Sequence, residues 1–598
     1  MNKIRRFLGR LLLLISLVFC LSFSATNSVL AASTKQSDLL SNRFLRTTLL
    51  GFTAIPLHSQ LSSNFSQCEE IQEMHPIEKI KDLGNLDFPV STSNPKAQEF
   101  FNQGITLFYS FNDEDAIRSF RKATDLDPDL AMAHYGMALA AGSNINITAD
   151  QKCLRFARES IQKAQELAKI TPNNDVEKEL INSLVIRYKP DDKKTQDKNY
   201  TEFMQKVYRN YPNDPNVAVL YTDSLMNLHP WQLWTPEGMP AQEETSTIVE
   251  ILETALRTYP KHLGINHYYI HVMEASKVPD KALYSADILT SLAPAAGHIN
   301  HMPSHIYARM GDYDRSAKEN ENSVQVDKPY IDNCKDISSN NCVQLYTGHY
   351  NAHDLMFAAV SYAMIGDFDK SYKWAKETTN FVKPFIKNQL GLIHYLSTEI
   401  LMLERFRRWD DILNLPPSKE IAAPIQAIWH WSRAMAYLGK NSSLVEKERD
   451  EFNQALQSIS NEESWGNNVA KTLLEIPSLL LDAKYSAFHG DLASAINLLS
   501  DAVTKQDNLV YDEPISWTPV REALGAAYYQ NGLYSKAEEV FRQDIDNTNR
   551  TGNPGNARSL FGLYKTLEAQ GNPQAQDIKK QFDHTWNPKT PIDMSDLF

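Results

Sequence analysis

Two histidine pairs stand one structural period apart in this chain: His267 and His271, then His301 and His305, 34 residues further on. Within each pair the i,i+4 spacing stacks both side chains on one face of a helix. A period of 34 residues is that of a helix-turn-helix unit whose copies stack into a solenoid, each burying its apolar face only against its neighbours. Stacking sets equivalent positions side by side, so the two pairs are predicted to meet.

Residues 97–130 show the same unit most plainly. Phe100, Gly104, Leu107, Ala116, Phe120, Ala123 and Pro128 fall where tetratricopeptide (TPR) repeats alternate bulky and small residues and end on proline. Residues 263–296 and 297–330 are further units, marked by Ala282, Pro294 and the turn GDYD at 311–314, and GDFD at 366–369 marks one beginning near Ala352. Similar turns recur at 438–441, 489–492, 531–534 and 570–573. Strand signals reduce to short runs such as LDFPVS, so the predicted fold is an all-α tetratricopeptide-repeat superhelical solenoid of about eight to eleven helix-turn-helix repeats.

The N-terminus sets Lys3, Arg5, Arg6 and Arg10 ahead of an apolar run and the small residues Ala31 and Ala32. This reads as a secretory signal cut near Ala31, the run being only about 14 residues against the roughly 20 that span a bilayer. The predicted product is exported, periplasmic or secreted, with no membrane span after cleavage. Taking the signal's four basic and no acidic residues from the formal charge of −13 leaves −17, a balance that argues against nucleic acid and anionic lipid surfaces as partners. Export permits disulfides, and the loop CKDISSNNC makes Cys334–Cys342 the favoured bridge, with Cys68 and Cys153 remaining. The predicted organisation is a signal peptide over 1–31, an irregular leader or cap over 32–92, N-terminal repeats over 93–188, and a solvated charged connection, KPDDKKTQDKN, over 189–199. Central repeats with the histidine cluster follow over 200–390, then C-terminal repeats over 391–586 and a tail over 587–598.

In TPR arrays the first helix of each repeat lines a concave groove through positions 2, 5, 9 and 12. Repeats starting at 263 and 297 put His267 and His301 at position 5, His271 and His305 at position 9, Glu274 at position 12 and His298 at position 2. The repeat near 352 puts His353 at position 2 and Met356 at position 5. Of 16 histidines in the chain, seven lie between 267 and 353, His349 included, which singles this stretch out as a site. Imidazoles without thiolates suit a transition metal such as copper, zinc or iron and disfavour calcium and magnesium. Six exceed the four ligands of one tetrahedral zinc, so they imply two ions or one ion with helpers. A three-plus-three dicopper arrangement would suit the nearby Met302 and Met356. Pro303 predicts a helix starting near Met302, which would take His298 and His301 off the helix face.

Glu274 is the candidate acid or base for a metal-bound water, its other reading being a carboxylate that bridges repeats. Tyr268, Tyr307 and Arg309 read either as substrate contacts or as packing. Trp231 and Trp234 in LHPWQLWTPEGMP read as a cap on the groove, and Asp512, Glu513 and Trp517 with Arg521 as an ion-pair brace.

The segments NHYYIHVMEAS, LAPAAGHINHMPSHIYARMGDY and AMAHYGMALA resemble a group of bacterial exported TPR proteins that share a GHxxHMPSHI-like run. The resemblance covers most of the mature chain and implies the repeat fold, while it supplies no catalytic residues. Three functions stay open: transition-metal binding in the groove, with oxidoreductase or hydrolase chemistry; a metal-free scaffold for a protein or peptide partner in the cell envelope; and metal storage or delivery.

Overall fold

The computed structural model describes Cys68 and residues 77–336, 342–416, 422–511 and 519–598. The expected signal peptide and most of the leader lie outside the described residues, as do Asp512, Glu513 and Trp517. The remainder is built from helix pairs, among them Pro95–Phe108 with Asp113–Leu126, Ala423–Gly439 with Val445–Ser458, and Val520–Gln530 with Tyr534–Asp544. The small and large alternation read from the sequence explains how they close. Phe120 sits between Gly104 and Gly136 of the next unit, where an added Cβ would come within 2.6 Å and 2.5 Å of its ring. Phe541 lies in the same way against Gly525 and Gly562. The fold is a TPR-type helical solenoid, and among the described residues the strands are one short antiparallel hairpin, Ser464–Trp465 with Asn468–Val469.

Three local expectations change. The charged stretch at 189–199 is not a loop throughout, since a helix runs Lys193–Asn210 behind the N-cap Asp192, whose side chain accepts from Thr195 N–H at 3.1 Å. Its charges hid a buried stripe of Gln196, Tyr200, Met204 and Val207 at helical spacing. The helix expected to begin near Ala352 runs Gln344–Met364, so His353 lies mid-helix, one turn beyond His349. Pro303 interrupts the helix between Gly297–His301 and Pro303–Arg309, yet Met302 keeps helical angles (φ −53°, ψ −36°) and its N–H bonds to His298 O at 3.0 Å. The missing proline N–H therefore costs a hydrogen bond and leaves His301 and His305 on one face.

Cys334–Cys342 is bridged as expected, and Cys68–Cys153 forms a second bridge. Residues 77–92 lie along the first described helix, where Gln103, Asn102 and Gln98 side chains accept from Ile80, Phe88 and Val90 N–H.

Candidate metal centre

The helix Leu263–Met273 carries His267 and His271, the broken helix at 297–309 carries His298, His301 and His305, and the helix Gln344–Met364 carries His353. They gather as two triads, His267/His271/His298 and His301/His305/His353, with ligand atoms in each within 4.8 Å of one another. Ring centroids lie 4.8–5.7 Å apart in the first triad and 4.7–5.6 Å apart in the second. Across the triads His298 lies 5.7 Å from His301 and His271 lies 6.4 Å from His305, so the two groups form one continuous cluster. The groove expectation changes here. Five of the six histidines are only 0–4% exposed, and His353 alone is half-buried.

The outer nitrogens decide which atoms point inward. His267 Nδ1–H donates to Tyr109 O at 2.6 Å, and His301 Nδ1–H donates to Asn320 Oδ1 at 2.7 Å. Asn320 is itself oriented by its Nδ2, which donates to Ser316 O at 2.8 Å. Asp354 Oδ1 also lies 3.1 Å from His301 Nδ1. Glu274, fully buried, spans the triads: Oε1 accepts from His271 Nδ1–H at 3.1 Å, and Oε2 lies 2.6 Å from His305 Nδ1. A ring whose Nδ1 carries the proton presents an unprotonated Nε2, the form that ligates a metal. The Nε2 atoms of His301 and His305 stand 2.8 Å apart, within hydrogen-bond distance, and buried His305 Nδ1 makes no hydrogen bond of its own despite its contact with Glu274. His267 Nε2 and His298 Nε2 stand 3.2 Å apart, while buried His271 Nε2 and His298 Nδ1 have no hydrogen-bond partner. Ligands of one tetrahedral ion at ~2.0–2.1 Å stand ~3.3 Å apart, a spacing the His267–His298 pair already has at 3.2 Å and from which the His301–His305 pair, at 2.8 Å, would have to open.

Burial holds His267, His298, His301 and His353 well below the usual imidazole range and lowers His271, so these rings are neutral near pH 7. Burial alone would raise the Glu274 carboxyl, but His305 and His271 overcome it and hold it at about 2. Glu274 is therefore a carboxylate that orients two imidazoles from outside, the bridging alternative in its sequence reading. Its backbone oxygen is fixed as well, accepting from Arg309 Nε at 3.0 Å.

Each triad has a phenyl wall. Phe111 lies 4.6, 5.3 and 5.4 Å from His267, His271 and His298, and Phe357 lies 5.6, 5.0 and 5.7 Å from His301, His305 and His353. Phe111 holds its ring there at φ +57°, and Trp231, edge-on to His271 at 5.8 Å, stands at φ +61°. Bulky residues pay for such angles, and positions that keep them cluster at functional sites. Gly297, the glycine of the GHxxH run, is required by a close approach, because a Cβ there would lie 2.1 Å from Asp327 Oδ2.

Sequence reasoning missed Phe111, Phe357, Asn320 and Asp354. Phe357 could have been found from its i,i+4 spacing to His353, whereas Asn320 and Asp354 carried no periodic signal. Tyr268, Tyr307 and Arg309 are packing residues: Tyr268 bonds Asp223, Tyr307 bonds Asp287, and Arg309 donates only to backbone carbonyls. Trp234 donates to Val272 O at 2.6 Å, and Arg521 pairs with Asp507 at 2.7 Å.

No family model matches the chain, and no curated protein matches it. Among solved structures, a human IFIT1 dimer with m7Gppp-AAAA is similar at 12% identity, covering 87% of this chain and 99% of that one with a TM-score of 0.30. Yeast Tom70 is similar at 12% identity, with coverages of 83% and 92% and a TM-score of 0.28. The TPR domain of P58(IPK) is similar at 10% identity, with coverages of 79% and 98% and a TM-score of 0.20. Fold and site together define a TPR-type solenoid with a buried double histidine triad, a description that rests on this chain's own helices and rings.

Proposed function

We propose that the protein binds two transition-metal ions, one in each histidine triad, as a dinuclear centre tied together by Glu274. The observation that carries this reading is the convergence of six imidazoles in two triads, with the Nδ1 atoms of His267, His271 and His301 already held so that their Nε2 atoms turn inward. Such orientation from outside is what metal-ligating histidines need, and it would be wasted on rings that merely pack. Six imidazoles with no carboxylate among the inward-facing atoms suit copper or zinc better than iron, whose open sites favour a carboxylate beside two histidines. Three protein ligands per ion leave a position for an exogenous ligand, which favours metal-dependent catalysis over closed storage.

Capture of a peptide through these histidines would need them exposed, and their burial argues against it. A protein or peptide partner on other faces of the array draws support only from the repeat class. We place the centre outside the cytosol, periplasmic or secreted, a reading supported by the basic and apolar N-terminus and by two disulfides.

Elemental analysis of the chain purified without a histidine tag tests this directly. Wild-type protein should hold close to two copper or zinc ions, and folded His267→Ala and His305→Ala variants should each hold about one fewer. Wild-type protein that takes up no metal after reconstitution would overturn the reading.

A further inference from the structure

The expected tail over 587–598 folds back onto the array. Its root is fixed at the turn glycine Gly366, where an added Cβ would lie 2.4 Å from the Trp586 ring. Asn587 N–H donates to Ile365 O at 2.9 Å, and Thr590 Oγ1–H donates to Gly366 O at 2.6 Å. Beyond this root Pro591, Asp593 and Ser595 are exposed, whereas Leu597 and Phe598 are only 2% and 5% exposed. One short turn, Met594–Asp596, brings them in, and the Asp596 carboxylate is spent on it, Oδ2 accepting from Asp593 N–H at 2.7 Å.

The face that receives them is built by the helices Thr398–Arg405, Ala423–Gly439, Ala470–Phe488, Val520–Gln530 and Ala557–Ala569, each of which opens a helix pair. These supply Arg405, Trp431, Met435, Leu480, Glu522 and Arg558 in turn. Arg407, just past the first of them, donates through Nε–H to Asp596 O at 3.0 Å, and Arg558 Nη2–H donates to the same oxygen. Lys484 Nζ stands 4.9 Å over the Phe598 ring. The segment is thus recognised by an apolar pair, an aromatic face and one neutral oxygen.

The fit is incomplete. A cavity of about 40 Å³ remains against Leu597 and Phe598, where a water needs only ~10–15 Å³. Arg405, which lines it, is buried with Nε lacking a hydrogen-bond partner, although its Nη2 reaches Glu522 Oε1 at 3.0 Å. Arg405, Arg407, Arg558 and Lys484 here face Glu404 and Glu522, a basic surplus in a chain whose formal charge is −13. Burial, and next the charge of Arg407, lower Lys484 to about 7. A buried guanidinium N–H left unpaired is costly, and an acidic segment that brought an oxygen to it would relieve the cost.

We propose that this face is a peptide-binding groove whose partner presents an acidic turn followed by an aliphatic–aromatic pair, and that residues 594–598 occupy it in the partner's place. The groove and the histidine centre use different helices, so this inference goes beyond the metal reading and does not depend on it. The occupant hangs on two buried side chains and one carbonyl, with an exposed connection behind it, so a better-fitting segment can exchange for it.

The test uses the full chain and a fluorescent peptide of the sequence KTPIDMSDLF, residues 589–598, with binding read by anisotropy. Leu597→Ser/Phe598→Ser, which empties the groove, should bind the peptide about tenfold or more tightly than wild type, whose own segment competes at an effective concentration on the order of millimolar. In that background Arg407→Gln should weaken binding about tenfold, as should the same two serine changes placed in the peptide. A folded double variant that binds no peptide overturns the proposal and leaves the segment a structural closure. Binding indifferent to Arg407→Gln overturns it as well, by putting the peptide elsewhere. Circular dichroism verifies folding, and Phe598→Ala alone replaces the double variant if that one unfolds. Loss of the fold in both would make the segment part of the core and refute an exchangeable occupant.

Discussion

The two triads occupy matching places in successive repeats, yet they are supported by different parts of the chain. In the first, His267 is oriented by the carbonyl of Tyr109, 158 residues away, and the phenyl wall is Phe111 in the turn after Pro95–Phe108, held at φ +57°. In the second, Asn320 and Asp354 lie 19 and 53 residues from His301, and Phe357 sits one turn beyond His353 on the same helix. Repetition thus duplicated the ligands without duplicating what aims them. The first triad depends on long-range docking of the N-terminal repeats and is sealed; the second is assembled by adjacent helices and keeps one half-buried member. Only Glu274 serves both.

The phenyl walls give the largest test of this contrast. Phe111→Ala and Phe357→Ala should each cost about 3–5 kcal/mol of stability, as truncation of buried aromatics does. In denaturant titrations of the metal-bound protein, the first should weaken only the ion of the His267 triad and the second only its neighbour. Loss of both ions in either variant would mean the triads are not independently supported.

Glu274→Ala should act on both triads at once, weakening each ion by about 10–100-fold, or about 1.4–2.7 kcal/mol, because it removes the outer partner of His271 and His305. Competition against chelators measures this, and an effect confined to one ion would dissolve the bridge between them.

The smallest test is a pH titration at the root of the first triad. His262 caps the helix that carries His267 and His271, its Nδ1 accepting from Ile265 N–H at 3.3 Å, and burial lowers it to about 4. The unfolded chain, with an ordinary imidazole near 6.5, binds the proton first as pH falls. The stability His262 contributes is therefore present above pH 6.5 and lost as pH falls toward 4, at up to about 1.4 kcal/mol per pH unit. His262→Asn, which can still cap, should flatten that slope in denaturation measured between pH 7 and 5.

The repeat period was legible because stacking forces small and large residues into a fixed register, as Phe120 between two glycines shows. The same register placed His267, His271, His301 and His305, since side chains one turn apart on equivalent helices must meet. What escaped was set by contacts without a period. Asn320 reaches His301 from the neighbouring helix, and Tyr109 contributes a backbone oxygen that any residue could have supplied. The helix at Lys193 was missed because surface charge outnumbers its buried stripe. Proline gave a misleading stop at residue 303, since losing one N–H weakens a helix without redirecting it when both flanks are packed.

Buried Arg309, with no carboxylate partner among the described residues, donates to the carbonyls of Glu274, Ser276, Asn549 and Gly552, while Gly311 at φ +81° fits against Pro554 and Gly555. A repeat array ordinarily folds by nearest-neighbour propagation and can begin anywhere. Here one guanidinium joins segments 240 and 243 residues apart, so a contact of very high sequence separation must form before Glu274 is finally braced. Closing so long a loop taxes the folding rate more than the stability, and the centre should mature only after the last repeats have been made.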